Sequence, residues 1–199
     1  LVQRRVADAF VDRLVVRTRA WTWGDPADEQ VEMGTVIDEA AARLFEQRVD
    51  VAGAPGARPL VGDPRQGGAY APPGRRPQGP DNPTVVDHVD PNTPLVREET
   101  FGPVSPVIRF DTLDEAIDLV NRSPYGLSSG VCTTRLDVIT RLVSELQVGT
   151  VNVREVPGYR LESTPFGGIK DSGLGYKEGV LEAMKSFTNV KTYSVPWPG

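Results

Sequence analysis

Apolar residues return at helical spacing near the start of the chain, at Val2, Val6, Phe10 and Leu14, which predicts a helix from Val2 to Arg19. The stretch Trp21 to Gly34, with Gly24-Asp25-Pro26 inside it, breaks that period and reads as a loop. Asp38 is placed to cap a second helix whose buried stripe would be Ala41, Leu44, Phe45 and Val49. Branched residues at Thr84 to Val89 favour a strand, and Val104 to Phe110 reads as another, with Pro106 at an edge or a bulge. Thr112 and Glu115 form a capping box that opens a helix through Asn121. A strand at Leu127 to Thr133, a helix at Leu136 to Leu146 and a strand at Gly149 to Val153 follow. A glycine-rich loop then runs to Gly175, a helix covers Tyr176 to Phe187, and Asn189 to Val195 closes as a strand. Strands alternating with helices imply parallel pairing with helices packed across the sheet. The fold class is α/β.

One segment departs from this alternation. Between Ala52 and Pro83 lie 7 glycines and 8 of the chain's 18 prolines. Proline removes backbone donors and glycine raises the entropy of ordering, so this stretch is expected to be a mobile loop. Within it only Arg58 to Gly62 has the character of a short strand.

Composition narrows the chemistry. At 199 residues the chain can bury a core, and its net charge of −5 speaks against a nucleic-acid or anionic-membrane partner. No apolar run reaches the length of a membrane span, and no leader opens the chain. The single cysteine, Cys132, rules out an internal disulfide and suits a reducing compartment such as the cytoplasm. The single histidine, His88, leaves no multi-ligand zinc site and little support for a His-based triad, so no metal is expected. The chain opens on Leu1 rather than Met and is expected to be incomplete at its start.

Neither of these two residues has the surroundings of a nucleophile or base. Cys132 falls in the apolar run Gly130-Val131-Cys132-Thr133, where a buried inert thiol is the common case. His88 shares a strand face with Val86 and reads as packed or half-exposed. Gly173, Gly175 and Gly179 give G-x-G-x-x-x-G, one residue too long for a dinucleotide fingerprint, and they follow a loop. They read as turn glycines. Glu98-Glu99-Thr100-Phe101-Gly102-Pro103 leaves two readings open. It is either a solvated acidic turn with a core phenylalanine, or a carboxylate for a ribose diol beside an aromatic for a flat heterocycle.

Glu99-Thr100-Phe101-Gly102-Pro103 resembles the E-x-F-G-P motif of NAD(P)-dependent aldehyde dehydrogenases. Three further stretches agree in order and spacing: Asn121 to Leu127, Gly149 to Val153, and Pro165-Phe166-Gly167-Gly168 through Gly173. The run from Glu155 to Arg160, taken with Gly175 to Val180, looks closest to the phosphonoacetaldehyde branch. The likeness covers nearly the whole chain but only the C-terminal part of the family pattern.

The resemblance implies oxidation of an aldehyde to the acid through a cysteine thiolate, with NAD or NADP as hydride acceptor. It implies that Glu99 holds the nicotinamide ribose hydroxyls, that Phe101 packs beside the nicotinamide, and that Phe166 helps line the substrate tunnel. Tyr159 and Arg160 fall in the loop that in relatives anchors the substrate's far end. Arg160 would suit a phosphonate or carboxylate, or else simply pair with a carboxylate such as Glu162. The family's cysteine, its general base and its cofactor domain would lie upstream of Leu1, so the chain alone is expected to be inactive. Residues 1–175 correspond to the catalytic-domain portion, and 176–199 to a closing helix and an oligomerisation strand that adds to a partner's sheet. The pattern Tyr70-Ala71-Pro72 … Thr84-Val85-Val86-Asp87 is split by the eleven residues Pro73 to Pro83, read as a loop insertion. A non-catalytic remnant that assembles with a full-length dehydrogenase, and a hydrolase using Cys132, are the competing readings.

Overall fold

The computed structural model describes residues 1–53, 56–62, 83–175 and 178–196. The split motif at Tyr70-Ala71-Pro72 and all but the last residue of the Pro73 to Pro83 insertion lie outside the described residues. The chain divides into two compact units, Leu1–Ala116 and Ile117–Gly199.

In unit 1, β1 (Val2–Gln3) leads into α1 (Arg4–Arg19), followed by α2 (Glu39–Gly53) and β2 (Arg58–Val61). Then come β3 (Thr84–Asp87), α3 (Pro94–Arg97), β4 (Val104–Pro106) and β5 (Arg109–Phe110). β3 lies between β2, antiparallel, and β4, parallel, while β1 pairs in parallel with β5. The expected single strand from Val104 to Phe110 is two strands. Pro106 lies on the edge strand of its sheet, the Val107 N–H still donates to the Val86 carbonyl at 2.8 Å, and from Arg109 the chain pairs with β1 instead.

α1 turns a different stripe inward from the one expected. Ala7 and Val11 are buried, with Leu14 and Val15 packed on the same side, whereas Val6 and Phe10 are exposed. Val11, Val85 and Val107 form the core of this unit, with Val2 and Leu60 against it. The reason is that the two-residue strand β1 takes Val2 out of the helix. In α2, Asp38 accepts a hydrogen bond from the Ala41 N–H at 2.7 Å, as its capping role requires. Its buried residues are Ala42, Phe45, Arg48, Val49 and Ala52, while Leu44 is exposed.

Besides Arg48, charge enters the interior of this unit at Asp87 and Arg109. Asp87, at the end of β3, receives two hydrogen bonds from Arg109 at 2.6 and 3.2 Å, and Arg109 also donates to Asp8 of α1 at 2.7 Å. Burial alone would raise the Asp87 carboxyl, but the Arg109 hydrogen bonds, the His88 N–H and the Arg109 charge outweigh it. The carboxyl is held below its ordinary value of 3.8. His88 follows at φ +57, outside the strand and half-exposed, so it does not share the face of Val86.

α4 (Leu113–Asn121) spans the division between the units. Half of the expected capping box forms, the Glu115 N–H donating to Thr112 Oγ1, while Glu115 Oε2 reaches one residue further back and accepts from the Asp111 N–H at 2.8 Å. Unit 2 continues with β6 (Tyr125–Gly126), β7 (Ser128–Val131), α5 (Leu136–Glu145), β8 (Thr150–Val153), β9 (Ile169–Lys170) and α6 (Val180–Ser186). β7 and β8 are parallel with α5 between them in sequence, as the alternation predicts; β6 and β9 are antiparallel. Parallel pairings thus predominate among the described residues, in four small sheets rather than one.

Three expectations of unit 2 change, the first being that the helix read from Tyr176 to Phe187 is α6, Val180–Ser186, with 176–177 outside the described residues. Residues 189–195 carry no strand, and Val190, Tyr193 and Val195 stand exposed. A strand needs a neighbour to receive its backbone hydrogen bonds. Cys132 lies one residue past the β7 ladder, which ends at Val131 opposite Val153, so the thiol is exposed rather than buried in the sheet.

The Asp87–Arg109 pair sets a pH dependence. A carboxyl lowered on folding adds stability that is complete above its unfolded value of 3.8 and is lost as pH falls through the lower folded value. Asp87→Asn should cost about 3 kcal/mol near neutral pH, because Arg109 is left short of charge in a buried site, and should flatten the acid limb. Denaturant melts at neutral and acid pH check this; equal stability of the two proteins at neutral pH would contradict it.

Candidate functional site

The motif residues form one group in each unit. In unit 1, Glu99 to Pro103 make the loop between α3 and β4. Glu99 is exposed, and Phe101 is 78 % exposed with its backbone at φ +49. A bulky residue in the left-handed region is strained, and the conformation persists only where its neighbours enforce it.

Those neighbours come from α2. Arg48 donates to the Glu99 carbonyl, to Thr100 Oγ1 and to Glu98 Oε2. Just beyond Phe101, Gly102 lies so close to the buried Phe45 side chain that an added Cβ would stand 3.1–3.3 Å from its Cδ2, Cγ and Cβ. Gly102 thus lets the backbone pass close to Phe45. Both side chains were missed as site residues in the sequence, since they sit more than fifty positions from the loop on a helix read only for its apolar stripe.

Of the two readings of this loop, the core phenylalanine fails: Phe101 presents its ring outward. An exposed aromatic face two residues from an exposed carboxylate fits a ribose diol and a flat heterocycle.

In unit 2, the loop after β8 carries Tyr159 and Arg160. Asn152 of β8 donates its Nδ2 to the carbonyls of Val156, Pro157 and Tyr159 at 3.0–3.2 Å, and Ser128 Oγ donates to the Pro157 carbonyl at 2.8 Å. The loop is thus pinned to the paired strands β7 and β8. Arg160 lies 5.0 Å from the centroid of the Phe166 ring, and it pairs with Glu178 rather than with Glu162. Phe166 and Glu178 exchange backbone hydrogen bonds at 3.1 and 3.3 Å. Gly179, at φ +84, makes that bridge possible, because a Cβ there would stand 2.6 Å from the Thr164 carbonyl. The structure brings Arg160, Phe166 and Glu178 together; Tyr159 stands next to Arg160 with its ring half-exposed. Glu178 was invisible as a partner because its pairing depends on this fold-back.

The turn reading of the C-terminal glycines is supported: Gly175 has φ +94 and its N–H donates to the Gly168 carbonyl. Gly102→Ala should destabilise unit 1 by about 1–3 kcal/mol through overpacking against Phe45. Thermal denaturation checks this, and an unchanged midpoint would show that the loop yields freely.

The model of the aldehyde dehydrogenase family matches residues 1–193. The chain is 33% identical over 191 residues to sulfoacetaldehyde dehydrogenase of Neptuniibacter caesariensis, covering 96% of this chain and 39% of that protein. Among solved structures it resembles glyceraldehyde-3-phosphate dehydrogenase of Methanocaldococcus jannaschii complexed with NADP, at TM-score 0.82 and 32% identity over 96% of this chain and 39% of that one. It also resembles betaine aldehyde dehydrogenase of Staphylococcus aureus in complex with NAD+, at TM-score 0.78 and 32% identity over 100% of this chain and 40% of that one. The chain spans about two fifths of the length of these relatives. With four motifs in register, an α/β fold that superposes on solved members and a family match over nearly its whole length, the chain belongs to the aldehyde dehydrogenase family.

Proposed function

We propose that this chain supplies the nicotinamide-ribose clamp and part of the aldehyde-binding wall of an NAD(P)-dependent aldehyde dehydrogenase. The observation that carries this reading is the outward, left-handed Phe101 beside exposed Glu99, on a loop fixed from below by Phe45 and Arg48. Glu99 accepts hydrogen bonds from the ribose hydroxyls, and Phe101 covers one side of the nicotinamide ring. NAD or NADP, when bound, supplies the hydride acceptor for aldehyde oxidation. The relatives bound to NAD+ and to NADP support the cofactor class.

Phe166 lines the substrate tunnel, and Tyr159 and Arg160 receive the substrate's far end. Arg160 keeps further N–H donors beyond the one given to Glu178, and these suit an anionic end, as in phosphonoacetaldehyde or sulfoacetaldehyde. The relative named for sulfoacetaldehyde supports that class. Cys132, exposed past the end of β7, is not the nucleophile of this reading, and the chain in isolation is inactive. The complete enzyme works in the cytoplasm as a homo-oligomer, with residues 189–195 pairing as a strand on a partner's sheet.

A second reading draws on the exposed Leu181, Met184 and Phe187 of unit 2, which favour association. In it the chain is a non-catalytic remnant that joins a full-length relative. Mixing the two and measuring the mass of the assembly separates the readings, since only the second expects a mixed oligomer with the natural protein devoid of activity.

The direct test is reduction of NAD and NADP by the protein at its native length, with aldehydes bearing sulfonate, phosphonate or neutral ends. Reduction of at least one cofactor is expected, and Glu99→Gln should raise its KM about tenfold, since hydrogen bonds to a charged acceptor contribute roughly 1.5–3 kcal/mol. Absence of aldehyde-dependent reduction with every pair would sink the dehydrogenase reading. Arg160→Ala should raise KM about tenfold for the sulfonated aldehyde and leave the neutral one within about twofold. Equal losses on both would remove Arg160 from anion recognition.

A further inference from the structure

The peptide that carries Glu99 and Phe101 is gripped by one guanidinium. Arg48 is nine-tenths buried, with 10% of its side chain exposed. Its Nη1 donates to the Glu99 carbonyl at 2.5 Å and to Thr100 Oγ1 at 3.2 Å, and its Nη2 donates to Glu98 Oε2 at 2.5 Å. The three acceptors belong to consecutive residues, and the next residue is the strained Phe101. One turn earlier on the same helix, Phe45 fills the space against Gly102. Arg48 therefore fixes the chain on one side of Phe101 and Phe45 fixes it on the other.

We infer that Arg48 is a positioning residue for the nicotinamide-binding loop: it touches no ligand, but it sets the backbone from which the Glu99 carboxylate and the Phe101 ring project. This inference rests on the reading of Glu99 and Phe101 given above. Two physical points support it. The carboxylate that Arg48 pairs with is 60% exposed, and a solvent-screened pair adds little stability, so the guanidinium beneath the loop contributes geometry more than stability. A planar fork can serve a carbonyl, a hydroxyl and a carboxylate at once, which the point charge of a lysine cannot. A carboxylate and a ring that must meet a ribose and a heterocycle together gain from being held in place before binding.

The test uses Arg48→Lys in the protein at its native length, with binding measured by titration rather than by turnover. The probes are the reduced dinucleotide and its adenylate half alone, ADP for NADH or 2′,5′-ADP for NADPH. Arg48→Lys should weaken the dinucleotide about tenfold and leave the adenylate within about twofold, because only the nicotinamide half meets this loop. Parallel losses on both probes would reduce Arg48 to a structural role, and an unchanged dinucleotide affinity would overturn the inference outright. If Arg48→Lys does not fold, Thr100→Val and Glu98→Ala each remove one contact without touching the core. They should shift the dinucleotide alone, by a smaller factor; wild-type affinity in both overturns the proposal. Glu99→Gln and Phe101→Ala separate the two levels. If these bind the dinucleotide as the wild type does, or the wild type does not bind it, the loop is not a nucleotide site and the Arg48 inference falls with it. If they weaken it and Arg48→Lys does not, only the inference about Arg48 fails.

Discussion

Unit 1 is organised around a charge that the core has to accommodate. Arg109 enters from the two-residue strand β5, where it is almost fully buried, and it is made tolerable by the Asp87 carboxylate and by Asp8. Those partners belong to β3 and α1, so one guanidinium ties together the central strand, the first helix and the strand that pairs with β1. The apolar cluster of Val11, Val85 and Val107 joins α1, β3 and the chain just past β4. Hydrophobic burial supplies the driving force, and the ion pair restricts which registers can use it.

The candidate nucleotide loop follows the same logic on a smaller scale. β3 and β4 are parallel neighbours, so the chain must cross over between them, and the crossover places α3 and the Glu98 to Pro103 loop beside α2. α2 meets that loop with a ring and a guanidinium. The ring crowds position 102 against any side chain, and the guanidinium takes up a carbonyl that would otherwise want a partner. What remains outside is a carboxylate and an aromatic face. The chemistry is carried by the loop and the accuracy by the helix.

Unit 2 uses strands for the same purpose. Asn152, on β8, spends its amide donors on the loop that carries Tyr159 and Arg160. Further on, Lys170 Nζ donates to the carbonyls of Asn121 and Ser123, closing the end of α4 on β9. The Phe166–Glu178 bridge then presents a ring and a carboxylate to Arg160 from the same place. Beyond it the described chain buries little: Phe187, Val190 and Tyr193 are apolar and exposed, a composition that suits association.

Much of this was legible in the residue pattern. The caps at Asp38 and Thr112, the parallel pair β7 and β8 around α5, the edge position of Pro106 and the four family motifs are local signals, each set by backbone donors, φ preferences or spacing within a few residues. The stripe of α1 was read one position off, because Val2 satisfies helical periodicity equally well from a strand that only β5 can complete. The sequence by itself determined which residue types stand in the motif loops, and so which chemistry they can offer. Only the tertiary structure decided that Arg48 and Phe45 lie beneath Glu99 to Gly102, that Glu178 rather than Glu162 takes Arg160, and that Cys132 is exposed. Those outcomes depend on groups brought together across long separations, and no local propensity encodes a contact whose two halves meet only after the chain has folded.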